Sequence, residues 1–312
     1  MPACKLVVVG SLNIDYIASV QRLPGAGETV PASGLVRRFG GKGANQALAA
    51  ARQGAQVSLI GCVGADEAGR AYRRRLREEG INAAGISTTA RALTGTALIA
   101  VDPAGENVIV VAPGANAALK ASAVRAWRPL IEAAQMVLLQ LEVPMAAVTE
   151  AVRLANRAGV PVVLNPSPLR EGFPWGRCQV ETLIVNEMEA QALFGLAPEE
   201  FAARPAAGRS ALAERKVQRL IITRGAKPTL CSSEDACLEV PTLAVKPVDT
   251  VGAGDAFAGA FAARRAQGMD LLEAIRCANC AGALATLKAG AQESIPSRAA
   301  TDRAVRRLRE ER

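Results

Sequence analysis

Histidine is absent from all 312 residues, which removes the Ser-His-Asp triad, the HExxH zinc site and any imidazole base. Acid–base chemistry in this chain therefore falls to carboxylates, Lys, Cys, Tyr or metal-bound water. Aromatic residues are almost as scarce, at 3%, leaving little flat surface on which single-stranded nucleic acid could stack. The net charge of +8 does not restore a nucleic-acid reading. Its basic clusters, Arg37-Arg38, RRRLREEG at 73–80 and the tail RAVRRLREER, carry interspersed acids or helical spacing and read as solvated faces. A basic surface also suits anionic small molecules such as nucleotides, so no nucleic-acid partner is expected.

Other absences narrow the class further. No apolar run reaches the roughly 18 residues of a membrane span, and MPACKLVVVGSLNID at the start has no cleavage-site pattern and reads as a first strand. A cytoplasmic protein with no membrane partner is expected. Seven cysteines, an odd number in a long chain, argue against a disulfide framework. The pair Cys277 and Cys280 has CxxC spacing, but it lies in an Ala-rich helical run with no second CxxC to complete a zinc site, so buried helical thiols are expected. No Walker A loop is present, since the GK of Gly41-Lys42 is followed by Gly43 and position 36 is Val. No GxGxxG follows the first strand. No linker, repeat or low-complexity segment divides residues 1–312, which read as a single domain.

What is present is an alternation of short β-rich and helical runs. Strands are expected at 5–10, 56–64, 136–142, 160–166, 182–187 and 217–225, most of them continuously apolar, as in strands covered on both faces. Helical stretches such as NQALAAARQG and MAAVTEAVRLANRAG lie between them, several closed by Gly. The expectation is an α/β fold: three layers, doubly wound, with a mostly parallel sheet. Two segments, about 14–39 and 93–113, instead alternate polar and apolar residues around turns such as DPAGEN. They are expected to form antiparallel strands apart from the main sheet, a small β-sheet lid.

In an open α/β sheet, ligands bind beyond the carboxyl ends of the strands. Those ends here carry Asn13 and Asp15, Glu142, Asn186 and Glu189, and Arg224 with Gly225; the stretch DTVGAGDAF at 249–257 follows LAVKPV, read as a further strand. Any one of these could be turn chemistry, but so many acids and amides on one rim mark a site. GAGDAF admits two readings, an acid capping a buried helix or glycines opening a helix N-terminus to an anion. In the second, the acid beside the nest repels a phosphate unless it serves another purpose, such as taking a proton from an attacking hydroxyl. GGKGAN at 40–45 is a second glycine-rich helix start, with Lys42 and Asn45 as donors.

In this order and spacing NID (13–15), GGKGAN, NEME (186–189) and DTVGAGDAF resemble the PfkB, or ribokinase-like, family of sugar kinases, a similarity running from the first strand to KAGAQESIP. The resemblance implies ATP-dependent transfer of the γ-phosphoryl group to O5 of D-ribose. By position it implies that Asp255 is the catalytic base and that Gly252, Ala253 and Gly254 form the anion hole. Asn13, Asp15, Gly41, Lys42, Asn45 and Glu142 fall where sugar hydroxyls are held. Asn186 and Glu189 fall at the element that organises phosphate and Mg²⁺, and Thr223, Arg224, Gly225 and Asn279 where ATP is contacted. Asp249, Val251, Ala285, Lys288, Gly290 and Ser294 fall at a monovalent-cation site, with KAGAQES closing the chain's final helix and K⁺ as activator. One position departs from the pattern: Pro228 stands where the family loop usually has glycine, and proline lacks an N–H donor.

Alternatives within the family are a kinase of deoxyribose, a nucleoside or another small sugar. A different class, a sugar- or nucleotide-binding regulator without catalysis, has no need of Asp255 or the glycine nest. The exposed β flap is expected to pair with its copy in a homodimer.

Overall fold

The first strand shows why the chain folds into three layers. In β1 (Lys5–Val9) Leu6 and Val8 pack into one hydrophobic cluster, while Val7 and Val9 pack into another on the opposite face. A strand's side chains alternate between faces, so an unbroken apolar run needs cover on both. The computed structural model describes residues 4–310.

Nine strands form the main sheet. Beside β1 lie β4 (Gln56–Gly64), β5 (Ile86–Thr89), β8 (Met136–Gln140), β9 (Val162–Asn165), β10 (Val180–Asn186), β11 (Val217–Arg224), β12 (Lys227–Ser233) and β13 (Cys237–Val240). Their spatial order is β13-β12-β11-β10-β9-β8-β1-β4-β5. All neighbours pair in parallel except β11–β12 and β12–β13. One face is covered by α1 (Lys42–Arg52), α2 (Glu67–Glu78), α9 (Ala253–Ala266) and α10 (Leu271–Ala285). The other carries α3 (Ala121–Ala126), α4 (Arg128–Glu132), α5 (Met145–Arg157), α6 (Glu187–Phe194), α7 (Pro198–Ala203) and α8 (Pro205–Glu214). The expected three-layer, doubly wound α/β fold is the one observed.

The second sheet has four strands in the order β3-β2-β6-β7: β2 (Asn13–Val20), β3 (Ala32–Gly40), β6 (Gly95–Val101) and β7 (Asn107–Ala112). Each segment forms the expected antiparallel hairpin, the second turning at Asp102, whose carboxylate accepts from the backbone N–H groups of Ala104 and Glu106. The sheet as a whole is not antiparallel, because β2 and β6 join the two hairpins in parallel. Hairpin signals are local in sequence, whereas the pairing between hairpins is set by where the main sheet releases them.

Two further expectations fail. LAVKPV (243–248) is not a strand; the run after β13 is irregular. Its prolines, Pro241 and Pro247, lack N–H donors for a ladder, and its buried Leu243 packs instead on Cys277 and Cys280 of α10. KAGAQES does not close the final helix either: α10 ends at Ala285, and the basic tail forms a further helix, α11 (Arg298–Glu310), whose Ala304, Val305 and Leu308 pack on α10. The CxxC thiols are buried in that contact, and burial pushes Cys280 up to about 12. Pro228 sits beside a register shift between β11 and β12, where no ladder pair needs its missing N–H, and its carbonyl accepts from Arg224 Nε at 2.7 Å.

Helices α1 and α9 pack closely. At Gly259 any Cβ would collide with the Gln46 carbonyl and the Ala49 side chain. Overpacking of this kind costs about 1–3 kcal/mol, so the glycine is what lets the two helices, and the side chains at their N-terminal turns, approach. Among the described residues no helix is long and apolar enough to cross a membrane.

Candidate active site

Asp255 does not cap its own helix. It is 5% exposed in the first turn of α9, and its two oxygens accept from side chains of α1: Asn45 Nδ2 at 2.9 Å and Gln46 Nε2 at 2.9 Å. The N-cap is Gly252, at φ 80°, and a Cβ there would also press on Ala291 at 2.9 Å. The N–H of Ala253 donates to the Thr250 carbonyl at 3.2 Å. Those of Gly252, Gly254 and Asp255 meet no protein acceptor among the described residues and are left open at the positive end of the helix dipole.

The amides that hold Asp255 are themselves held. Gln46 Nε2 also donates to Asn165 Oδ1 at 3.0 Å, its Oε1 accepts from Gln140, and Asn165 Nδ2 donates to the Ile184 carbonyl at 2.9 Å. Asn45 Oδ1 accepts from Gln292 Nε2 at 3.1 Å. Sequence reasoning named Asn45 and missed Gln46, Gln140, Asn165 and Gln292. Buried amides of this kind carry no local signal, because their partners lie on other elements.

A second cluster lies at the root of the small sheet. Gly41, at φ 90°, is the N-cap of α1, and its Cβ would fall 2.7 Å from the Asn13 nitrogen. Glu142 Oε2 accepts from the Lys42 backbone N–H at 3.1 Å and from Ser11 Oγ at 2.5 Å, fixing the turn. Asn13 Oδ1 accepts from Asn116 at 2.7 Å; Asn116 is another residue the sequence did not betray. Among the described residues Asp15 has no hydrogen-bond donor, and Gly40 is bare because a Cβ there would strike the Asp15 carboxylate. Burial, and then the charges of Glu142, Glu293 and Asp255, raise Asp15 to about 7. The Asp255 carboxylate, helped by Glu142 and Glu189, holds the Lys42 ammonium above its usual range despite partial burial.

Between the two glycine turns opens a cavity of about 220 Å³, lined by Lys42, Asn165, Ser167, Ile184, Asn186, Glu189, Thr223, Thr250, Gly252, Gly254 and Asp255. It brings together the expected base, open N–H groups, Lys42, the Asn186–Glu189 element and Thr223. A larger hollow, about 350 Å³ beside Asp66 and Leu93, offers no comparable chemistry. Asp66 is already spent there on the N–H of Gly69 and on Thr94.

Asn186 and Glu189 form a reciprocal cap of α6: Asn186 Oδ1 accepts from Glu189 N at 2.8 Å and Glu189 Oε2 from Asn186 N at 3.0 Å. Glu189 lines the cavity, and its Oε1 has no hydrogen-bond partner among the described residues. Arg224, Gly225 and Asn279 do not line the cavity. The Arg224 guanidinium turns to Glu239 at 2.7 Å and Glu199 at 3.4 Å. Asn279 donates to the carbonyls of Val240 and Pro241 and accepts from Thr229. Asp249 accepts from the N–H groups of Val251 at 2.9 Å and Gly290 at 2.8 Å, tying the loop before Gly252 to the turn after α10.

With this geometry in view, residues 3–298 match the pattern of the pfkB family carbohydrate kinases. The chain is 37% identical over 298 residues to the ribokinase of Haemophilus influenzae, covering 95% of this chain and 96% of that protein. It is 34% identical over 293 residues to the deoxyribokinase of Salmonella typhimurium, covering 94% and 95%. The structure of Arabidopsis thaliana ribokinase complexed with ribose and ATP superposes with a TM-score of 0.86 at 29% identity, covering 97% of this chain and 99% of that one.

The electrostatics at the root of the small sheet carry a direct test. Carbon-detected NMR of the Asp15 carboxyl should show a midpoint near pH 7, as its environment dictates. Glu142→Gln, which removes a nearby negative charge, should move that midpoint down toward the ordinary carboxylate range. An Asp15 midpoint near 4 in the unsubstituted protein would show that burial and the neighbouring acids do not act on it as described.

Proposed function

The chain belongs to the pfkB family of carbohydrate kinases, and on that premise we propose that it is an ATP-dependent ribokinase, transferring the γ-phosphoryl group to O5 of D-ribose to give ribose 5-phosphate. The observation that carries this reading is Asp255, clamped by two amides at the rim of a helix N-terminus whose Gly252 and Gly254 N–H groups are open. Asp255 takes the proton of the attacking hydroxyl. A carboxylate suffices as base, because in a loose phosphoryl-transfer transition state the proton need not leave early. The open N–H groups, the dipole of α9 and the Lys42 ammonium stabilise charge on the transferred group. Asn13, Asp15, Gly41, Asn45 and Glu142 hold the sugar, Asp15 accepting from its hydroxyls. Thr223, Gly225, the backbone of Arg224 and Asn279 flank the nucleotide. The small sheet closes over the sugar as a lid and excludes water, which otherwise competes as acceptor.

The free Oε1 of Glu189, a hard oxygen on a residue lining the cavity, fits Mg²⁺ held through water. Held there, such an ion would supply positive charge to offset that of the phosphates. A second reading, deoxyribose as acceptor, is favoured by the similarity to the Salmonella deoxyribokinase. The two differ at a single hydroxyl, and a site that hydrogen-bonds a hydroxyl rejects the analogue lacking it. ADP release measured with ribose, 2-deoxyribose and adenosine should give ribose the highest kcat/KM. Asp255→Asn should lower kcat at least about 100-fold while leaving the fold intact. A folded variant with near-normal turnover would remove the base; 2-deoxyribose or adenosine as best acceptor would remove the ribokinase reading and leave the family.

For the monovalent cation, Asp249, Val251, Ala285, Lys288, Gly290 and Ser294 supply an oxygen-rich set. Among the described residues no donor is bonded to the carbonyls of Lys288 or Gly290, which suits a hard ion of low charge. Such an ion would order the loop leading to Gly252. Replacing K⁺ by tetramethylammonium at constant ionic strength should lower the rate several-fold; an unchanged rate in protein free of carried-over K⁺ would exclude the site.

The lid also carries the surface for a homodimer. Leu35, Val36, Leu98 and all six residues of β7 are exposed, and β3 and β7 are unpaired edges of the small sheet. A second copy of the chain would cover this apolar face and pair the edges. Sedimentation should give twice the chain mass, and Val110→Lys should return it to the monomer. A monomer at all concentrations would refute this pairing.

A further inference from the structure

The Asn45 carboxamide can face Asp255 in two ways, and only one of them helps. With Nδ2 toward the carboxylate it donates, as observed at 2.9 Å. Turned over, it would set an oxygen against a carboxylate, which accepts only. The orientation is decided at the other end of the amide, where Asn45 Oδ1 accepts from Gln292 Nε2 at 3.1 Å. The same Nε2 donates to Tyr72 Oη at 2.8 Å, and the Tyr72 hydroxyl donates to the Gly40 carbonyl.

The hydrogen bonds run outward from Gln292 Nε2, one branch through Asn45 to Asp255 and the other through Tyr72 to Gly40. They end in acceptor-only groups on both sides, the Gly40 carbonyl and the Asp255 carboxylate, so every intervening donor and acceptor is fixed. Tyr72 is fully buried and Gln292 is 2% exposed, so water does not compete for either. Burial also pushes the Tyr72 phenol well above its usual range, keeping it a donor. The Tyr72 ring is seated edge-on against Phe39 at 4.9 Å between centroids. Gly40, where the chain ends, pairs with Asn13 and lies against the Asp15 carboxylate.

We infer that Gln292 and Tyr72 are positioning residues that set the Asn45 amide and thereby the Asp255 carboxylate, linking the base to the root of the lid. Helix α2, which supplies Tyr72, otherwise lies outside the site. The inference rests on the reading of Asp255 as base.

The test uses the full chain. Gln292→Leu and Tyr72→Phe are each measured with Asp255 intact and in an Asp255→Asn background, with thermal melts to confirm folding. A residue that acts through Asp255 has its effect only while Asp255 is there. With Asp255 present, Gln292→Leu should lower kcat by about 10-fold and Tyr72→Phe by about 3-fold, at unchanged KM for ATP, as loss of one or two buried hydrogen bonds predicts. In the Asp255→Asn background both effects should shrink to less than about 2-fold, the limit of additivity error. Equal losses in the two backgrounds, or none with Asp255 present, would overturn the positioning role while leaving the base. Near-normal turnover of Asp255→Asn by itself would overturn the base and this inference with it.

Discussion

The close approach of α1 and α9 is the constraint on which the site depends. One helix brings the amides of Asn45 and Gln46, the other brings Asp255, and the bare Cα of Gly259 lets their axes come near enough for 2.9 Å hydrogen bonds between them. Both helices start at glycines with positive φ, Gly41 and Gly252. The same contact therefore places two backbone turns, one at the proposed sugar site and one at the proposed phosphate site, on either side of one carboxylate. A buried carboxylate is costly unless it is hydrogen-bonded, and here both its oxygens accept from side-chain amides.

The two aspartates of the site have opposite surroundings, and that division matches their proposed work. Asp255 is fully supplied by the protein and is held still. Asp15 has no donor among the described residues, sits among other acids and is pushed up to about 7. A group left short of hydrogen bonds by its own chain is ready to take them from a polyhydroxyl ligand. The proposal gives one group to chemistry and the other to recognition, and the Gly40–Tyr72–Gln292–Asn45 chain joins them.

Much of this could be read from the sequence because it is local. Continuous apolar runs located β1, β4, β8, β9, β10 and β11 within a few residues, and glycines before GKGANQ and GDAFAG located the starts of α1 and α9. Strand ends gave Asn13, Asp15, Glu142, Asn186 and Glu189. What stayed hidden depends on partners distant in sequence. Gln46 is one residue from Asn45 and looks no different from any helical glutamine until α9 crosses it. Tyr72 sits in an arginine-rich helix that reads as a solvated face. LAVKPV has the composition of a strand, but its prolines and the pull of Leu243 toward α10 keep it out of the sheet. The lid hairpins were legible, whereas the parallel pairing of β2 with β6 was not, since no local pattern encodes which strands of two hairpins meet.

The central claim is that one carboxylate, Asp255, stands between a sugar hydroxyl and a phosphate seated on the Gly252–Gly254 turn. A crystal structure with D-ribose and a non-hydrolysable ATP analogue tests it most directly. The account predicts the O5 hydroxyl within hydrogen-bond reach of Asp255, about 2.6–3.2 Å, with the terminal phosphate against the N–H groups of Gly252 and Gly254. Ribose bound elsewhere, or seated with O5 turned away from Asp255 while the phosphate occupies another wall of the cavity, would contradict it.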